Sequence, residues 1–179
     1  IRLEIDTREI NQPGADDLAL NDESFTVDRV LVLHTENNRI TYTFEAVTPY
    51  SKCYTTDWEI SSLYPGDVQM TAFVAYSNGQ RAGRIVLRKS WNNYAYIDDL
   101  CVDAAWRGKG IGRRLLACAE NWARQQGLPG IMLETQNVNA AACKLYQSCG
   151  FELCGFDTRL YTGLNPESQE IALYWYRML

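Results

Sequence analysis

Imidazole is almost missing from this chain: His34 is the one histidine among 179 residues. A thiol nucleophile needs a base beside it, usually a histidine, so Cys101 and Cys149 are poor candidates for a covalent acyl intermediate. The six cysteines (Cys53, Cys101, Cys118, Cys143, Cys149, Cys154) contain no C-x-x-C pair, and with one distant histidine they do not make a zinc set. No metal is expected. No apolar run approaches the roughly 20 residues that span a bilayer, and no secretory signal is legible. The cysteines, mostly inside apolar periodic segments, therefore read as buried thiols of a cytoplasmic protein. Excess positive charge is also lacking: 17 Lys and Arg face 22 Asp and Glu, a net charge of −5. That balance argues against nucleic acid or a membrane as partner and suits a cationic small molecule.

What is present is a 46% apolar chain of a length that buries one core, so a single domain over 1–179 is expected. It is organised around Tyr94 to Gly112. An apolar, β-prone run (Ala95, Tyr96, Ile97, Leu100, Cys101, Val102) carries two acids, Asp98 and Asp99. A polar turn leads to Arg107, Gly108, Lys109, Gly110, Ile111 and Gly112, and then to a segment with Leu115, Leu116, Ala119, Trp122 and Ala123 at helical spacing. Strand, glycine-rich turn and helix in that order make an anion cradle. Glycine lets backbone approach a ligand, and a helix start offers unpaired N–H groups and the positive end of its dipole. Lys109 is followed by glycine, not Ser or Thr, which excludes a Walker loop. The glycine spacing G-x-G-x-G is not the dinucleotide fingerprint.

Residues 1–24 read as a turn-rich, acidic lead-in. Phe25 to Leu33 and Arg39 to Val47 predict a hairpin around Glu36-Asn37-Asn38, with Ile40, Tyr42, Phe44 and Ala46 on one face and Pro49 as its end. Tyr50 to Asp67 is irregular and reads either as a loop with one short helix or as a substrate lid. Met70 to Tyr76 and Gln80 to Leu87 predict a second hairpin through Ser77-Asn78-Gly79. After the helix that follows Gly112, Gly127 and Pro129 give a stop, Ile131 to Leu133 a short strand, Asn139 the cap of a second helix ending at Gly150, and two last strands follow (Phe151 to Phe156, Ile171 to Met178).

The pattern R-x-x-G-x-G from Arg107 to Gly112, directly after a strand, resembles the acetyl-coenzyme A site of the GNAT superfamily of N-acetyltransferases. A second pattern, Asn139, Leu145-Tyr146 and Gly150-Phe151, resembles the superfamily's later motif and falls after the strand–helix–strand unit. Together they cover residues 70–156. The resemblance implies an α+β fold: a mixed central sheet of about seven strands with a splayed parallel pair, flanked by helices. It implies acetyl-coenzyme A as co-substrate and direct attack by an amine, with no metal. The amides of Arg107 to Gly112 would take the pyrophosphate. Backbone groups of Leu100, Cys101 and Val102 would pair with the pantetheine arm and polarise the thioester, Asn139 would hold the pantetheine amide, and Tyr146 would protonate the leaving thiolate. A packed core tyrosine is the other reading of Tyr146. Asp98 and Asp99, on opposite faces of a regular strand, are both candidates for the base, with Asp99 preferred.

Further segments are similar to the streptothricin acetyltransferases: Val47-Thr48-Pro49-Tyr50 with Lys52 and Tyr54, Ser90-Trp91-Asn92, Ile97 with Asp98, Leu133-Glu134-Thr135-Gln136, and Ala172-Leu173-Tyr174-Trp175-Tyr176. Coenzyme binding does not require them. The similarity implies acetylation of a β-lysine amine, with Tyr50, Tyr54, Asp57, Trp91, Glu134 and Tyr174 lining the acceptor side. Another cationic amine (a polyamine, an aminoglycoside, a protein terminus) and a non-catalytic acyl-coenzyme A sensor are the competing readings, and a homodimer is left open.

Overall fold

The computed structural model describes residues 4–54 and 70–179. Among the described residues there are nine strands: β1 (Ile5–Asn11), β2 (Phe25–Glu36), β3 (Arg39–Lys52), β4 (Met70–Ser77), β5 (Gln80–Lys89), β6 (Ala95–Val102), β7 (Gly130–Gln136), β8 (Glu152–Asp157) and β9 (Ala172–Met178). The helices are α1 (Ala15–Leu18), α2 (Ile111–Gln125) and α3 (Ala140–Ser148). Seven strands form one mixed sheet in the order β1-β4-β5-β6-β7-β9-β8, with β6 and β7 its parallel pair, while β2 and β3 form a ribbon of their own. The chain divides into two compact units, 1–24 with 53–131 and Leu179, and 25–52 with 132–178.

In the first unit β1, β4, β5 and β6 run antiparallel. Asn78 and Gly79 link β4 to β5 with φ of 51° and 75°, the left-handed pair a two-residue hairpin turn requires. Even-numbered positions of β4 and β5 face one way: Met70, Ala72, Val74 and Val86 pack with Leu18 of α1, joined by Ile10 and Tyr76. The opposite face takes α2, whose Ile111, Leu115, Leu116, Ala119, Trp122 and Ala123 are buried. Gly83 sets how closely α2 approaches. A Cβ there would lie 2.9 Å from the Cys101 carbonyl oxygen, 3.1 Å from Ile111 and 3.2 Å from Leu115. Gly83→Ala is therefore expected to overpack this contact and cost about 1–3 kcal/mol. The midpoint of urea unfolding measures it, and an unchanged midpoint would show that α2 can shift freely.

The lead-in is not merely turns: β1 occupies it and pairs with β4 over Ile5↔Ser77 to Asn11↔Thr71. Its charged residues suit an edge strand, where charge discourages pairing with another chain, and they hide the alternation that would have marked it. Arg8 lies over the Tyr76 ring at 4.5 Å.

In the second unit β2 and β3 form a long ribbon turned by Asn37 and Asn38, both at positive φ (50° and 60°). Pro49 does not end β3. The pairing shifts between Val27 and Arg29, opposite Tyr50 and Ala46, so Pro49 sits in an irregularity where its missing N–H costs no ladder bond. Ile40, Tyr42 and Phe44 are half-buried as expected, and Ala46, at the irregularity, is exposed. Asn137 ties the unit together. Its carbonyl accepts from Leu31 N at 2.9 Å, its N–H donates to Ile171 O at 3.0 Å, and its Oδ1 accepts from Ile171 N at 2.9 Å. An aromatic core surrounds Trp175, with the Tyr42 ring 5.8 Å and the Tyr146 ring 6.2 Å away, centroid to centroid.

Candidate active site

The cradle is built where β6 ends. Asp103, almost fully buried, accepts from Ala105 N at 3.1 Å and so starts a short 3₁₀ turn over Ala104–Trp106. Its other oxygen accepts from the amides of Asn21 and Asp22 at 2.9 and 3.1 Å. Gly108 and Gly110 then take φ of 72° and 82°, and Gly110 is the N-cap of α2. The helix ladder begins with Arg114 N donating to Gly110 O at 3.1 Å, so the amides of Ile111 and Gly112 precede it. No atom lies within 4 Å of a Cβ built on either Gly108 or Gly110. The donor set (backbone amides, a dipole end and two cations) fits a pyrophosphate. Both cations are also anchored. Arg107 Nε donates to Val102 O at 2.9 Å and its Nη1 to Ser24 O, and Lys109 Nζ donates to Ala105 O at 2.9 Å while lying 4.6 Å over the Trp106 ring. Arg107 thus shapes the loop as well as charging it.

Asp98 and Asp99 do not follow the alternation of a regular strand. Val86 pairs with Asp99 and the next residue, Leu87, with Ile97, so Asp98 is the extra residue of a bulge. Both carboxylates reach arginines that share one face of β5: Arg88 Nε donates to Asp98 Oδ1 at 2.9 Å, and Arg84 Nε to Asp99 Oδ2 at 2.8 Å. Arg84 is fully buried. It also holds both oxygens of Glu23 and donates to Leu18 O at 2.9 Å. Burial pushes the Asp99 carboxyl up to about 6 against the pull of Arg84. Arg88 additionally stacks over Tyr96 at 4.4 Å. The expectation of opposite faces is corrected, and its cause is the bulge. Leu100, Cys101 and Val102 follow, half-buried, opposite Ile85, Arg84 and Gly83. Burial, and then the Asp99 charge, push the Cys101 thiol up to about 12. Burial does the same to Cys143. Thiols held protonated in this way pack and do not attack.

Trp91, 93% exposed, stands in the turn before β6, at the opposite end of that strand from the cradle. Tyr54 is half-buried. Asp57 lies outside the described residues.

The second unit holds the remaining candidates. Asn139 caps α3, its Oδ1 accepting from Ala142 N at 3.2 Å. Tyr146, in α3, is 5% exposed and packs 5.8 Å from the Phe151 ring. Glu134, near the end of β7, accepts a hydrogen bond from the Tyr161 phenol, which the β8–β9 connection supplies. Burial pushes the Glu134 carboxyl up to about 7. Tyr174 is half-buried on β9, and its phenol is raised by burial and then by the negative charges of Asp157 and Glu134 and by Tyr176. Tyr50 is exposed near the end of β3. Glu134, Tyr161, Tyr174 and Asp157 thus form one group. Tyr161 escaped the sequence reading, because nothing in its surroundings marks a loop tyrosine as a partner of Glu134. Arg84 and Arg88 carried a faint signal: arginines four apart, on either side of the buried apolar run Ile85 to Leu87, need partners on one face.

A glycine-rich helix start after an interrupted strand, followed by a parallel β–α–β crossover, defines an acetyltransferase fold, and the chain belongs to the acetyltransferase (GNAT) family, whose profile matches residues 34–151. It is an acetyl-coenzyme A-dependent enzyme. Streptothricin acetyltransferase A of Bacillus subtilis (strain 168) is 38% identical over 155 residues, 86% of this chain and 88% of the relative. A streptothricin acetyltransferase of Escherichia coli is 35% identical over 85% of this chain and 84% of its own length. Among solved structures, a protein of Bacillus anthracis str. Ames assigned as a streptothricin acetyltransferase, in complex with acetyl coenzyme A, superposes with a TM-score of 0.86. It is 43% identical and covers 98% of this chain and all of its own.

Proposed function

We propose that this enzyme inactivates streptothricin-type antibiotics by acetylating the β-lysine amine. The carrying observation is the extent of the likeness. Relatives named for streptothricin match 85–86% of the chain, far more than the cradle and crossover that coenzyme binding needs. Charge agrees: a chain of net charge −5 attracts a polycationic substrate, and the group around Glu134 and Tyr174 offers carboxylates and aromatic faces to ammonium groups.

Acetyl-coenzyme A supplies the thioester-activated acetyl group. The amides of Ile111 and Gly112, with Arg107 and Lys109, hold its pyrophosphate. Backbone groups of Leu100 to Val102 align the pantetheine arm and polarise the thioester carbonyl, and Asn139 takes a pantetheine amide. Tyr146 supplies the proton to the leaving sulfur, its ring fixed by Phe151 and Trp175 so that the phenol needs no reorganisation. Tyr50, Trp91 and Tyr174 receive the cationic arms of the acceptor.

Two measurements test the reading. Incubation with acetyl-coenzyme A and streptothricin is expected to give a product heavier by one acetyl group, fragmenting at β-lysine, and expression in a sensitive bacterium to give protection. A product with polyamines or aminoglycosides but none with streptothricin would leave the family and remove the substrate.

A further inference from the structure

We propose that Glu23 is a positioning residue for the coenzyme cradle: through Arg84 it fixes residues 18–24, and through Ser24 it holds the Arg107 guanidinium in place. The inference rests on the reading of Arg107 to Gly112 as the pyrophosphate site.

Arg84 meets more negative charge than it needs. Its guanidinium is fully buried and must be paired, and Asp99, accepting from Nε at 2.8 Å, already balances it. Glu23 adds a second carboxylate in a fork, with Oε1 on Nη1 and Oε2 on Nη2, the latter at 2.9 Å. The surplus has a cost. Burial first, and then the charges of Glu23 and Asp98, push the Asp99 carboxyl up to about 6 against the pull of Arg84. Charge balance therefore does not account for Glu23. What it supplies is a tether, because it comes from 61 residues before Arg84 and from the connection between α1 and β2.

That connection is fastened step by step along β5, the end of β6 and the turn that follows. Arg81 Nη1 donates to Asp16 O at 2.6 Å and to Ala19 O at 3.1 Å. Arg84 Nη1 donates to Leu18 O at 2.9 Å. Almost fully buried Asp103 accepts from the Asn21 and Asp22 amides at 2.9 and 3.1 Å, and Ala104 N donates to Asp22 O at 2.9 Å. Asp22 Oδ1 in turn accepts from Ser24 N at 2.9 Å and Ser24 Oγ at 2.6 Å. The last bond is the one that reaches the cradle: Ser24 O accepts from Arg107 Nη1, while Val102 O accepts from Arg107 Nε at 2.9 Å. The carboxylate that meets Arg84 and the carbonyl that holds Arg107 thus belong to adjacent residues. An arginine whose rotamers are fixed beforehand binds an anion better, since binding need not then order it.

Calorimetry with acetyl-coenzyme A on the full chain tests this, and no acceptor is required. Glu23→Gln is expected to weaken affinity roughly 3- to 10-fold, the scale of ordering one long side chain. Because Glu23 acts through Arg107, the same substitution in an Arg107→Ala background should cost less than about 2-fold further. A Glu23→Gln protein of lowered unfolding midpoint but unchanged affinity would make Glu23 purely structural and overturn the proposal. Losses that are equal in both backgrounds would overturn it as well, and would leave the cradle standing. Unchanged affinity in Arg107→Ala alone would instead remove Arg107 from the pyrophosphate site, and this proposal with it. Hydrogen exchange on the unmutated protein reads the same coupling from the other side, since coupling is reciprocal. Saturation with acetyl-coenzyme A should slow the Asn21 and Asp22 amides, and saturated Arg107→Ala should not show the slowing. Rates in the unmutated protein that ignore the coenzyme would overturn the proposal even if Glu23→Gln fails to fold.

Discussion

Gly110→Glu is expected to abolish acetyl-coenzyme A binding while leaving most of the fold in place. At φ 82° the residue is left-handed, a conformation that costs a non-glycine residue about 1–2 kcal/mol. Its Cβ would meet no protein atom within 4 Å, so the native packing tolerates the added side chain. The carboxylate would instead stand at the start of α2, where helix dipole and amides favour an anion, and would compete with the pyrophosphate for them. Gly110→Ala carries the strain without the charge and should bind measurably, only weaker. Calorimetry separates the two. Unchanged affinity in Gly110→Glu would remove the cradle from the coenzyme site.

Tyr146→Phe is expected to lower kcat by roughly 10²-fold or more, as loss of a general acid does. The substitution is informative because the ring is what packs. Phenylalanine keeps the contacts with Phe151 at 5.8 Å and Trp175 at 6.2 Å and removes only the hydroxyl. Denaturation midpoint and acetyl-coenzyme A affinity should therefore stay close to wild type. Turnover per folded molecule that is normal, with the midpoint lowered, would make Tyr146 a core residue and leave the leaving thiolate to solvent.

Local chemistry made much of the fold legible. Asn37-Asn38 and Asn78-Gly79 announce their turns because few other residues accept positive φ, and Asn139 announces α3 because its side chain caps it. Gly108 and Gly110 mark the cradle for the same reason. What stayed hidden depends on distant partners. β1 has the charged composition of an edge strand, and its pairing with β4 is not written in its own alternation. The shift opposite Val27 lets β3 run through Pro49, a residue that alone reads as a stop. The bulge at Asp98 is set by pairing with β5, so sequence parity placed the two acids on opposite faces when Arg84 and Arg88 hold both from one. Glu134 stood out in the sequence only as a candidate for the acceptor side, whereas the phenol that holds it comes from 27 residues away.

The clasp that Arg84, Asp103 and Arg107 make on residues 18–24 also governs when the site can exist. Its bonds join positions 61 to 83 residues apart, and such non-local contacts slow folding because loop closure precedes their reward. At roughly 5–20 residues per second, the ribosome finishes Arg107 several seconds after Ser24 has been made. For the first 61 residues after Glu23, until Arg84 is made, Leu18 and Glu23 have no buried guanidinium to meet. Residues 18–24 thus wait for a stretch made after them, and the glycine-rich cradle is sealed only at their meeting.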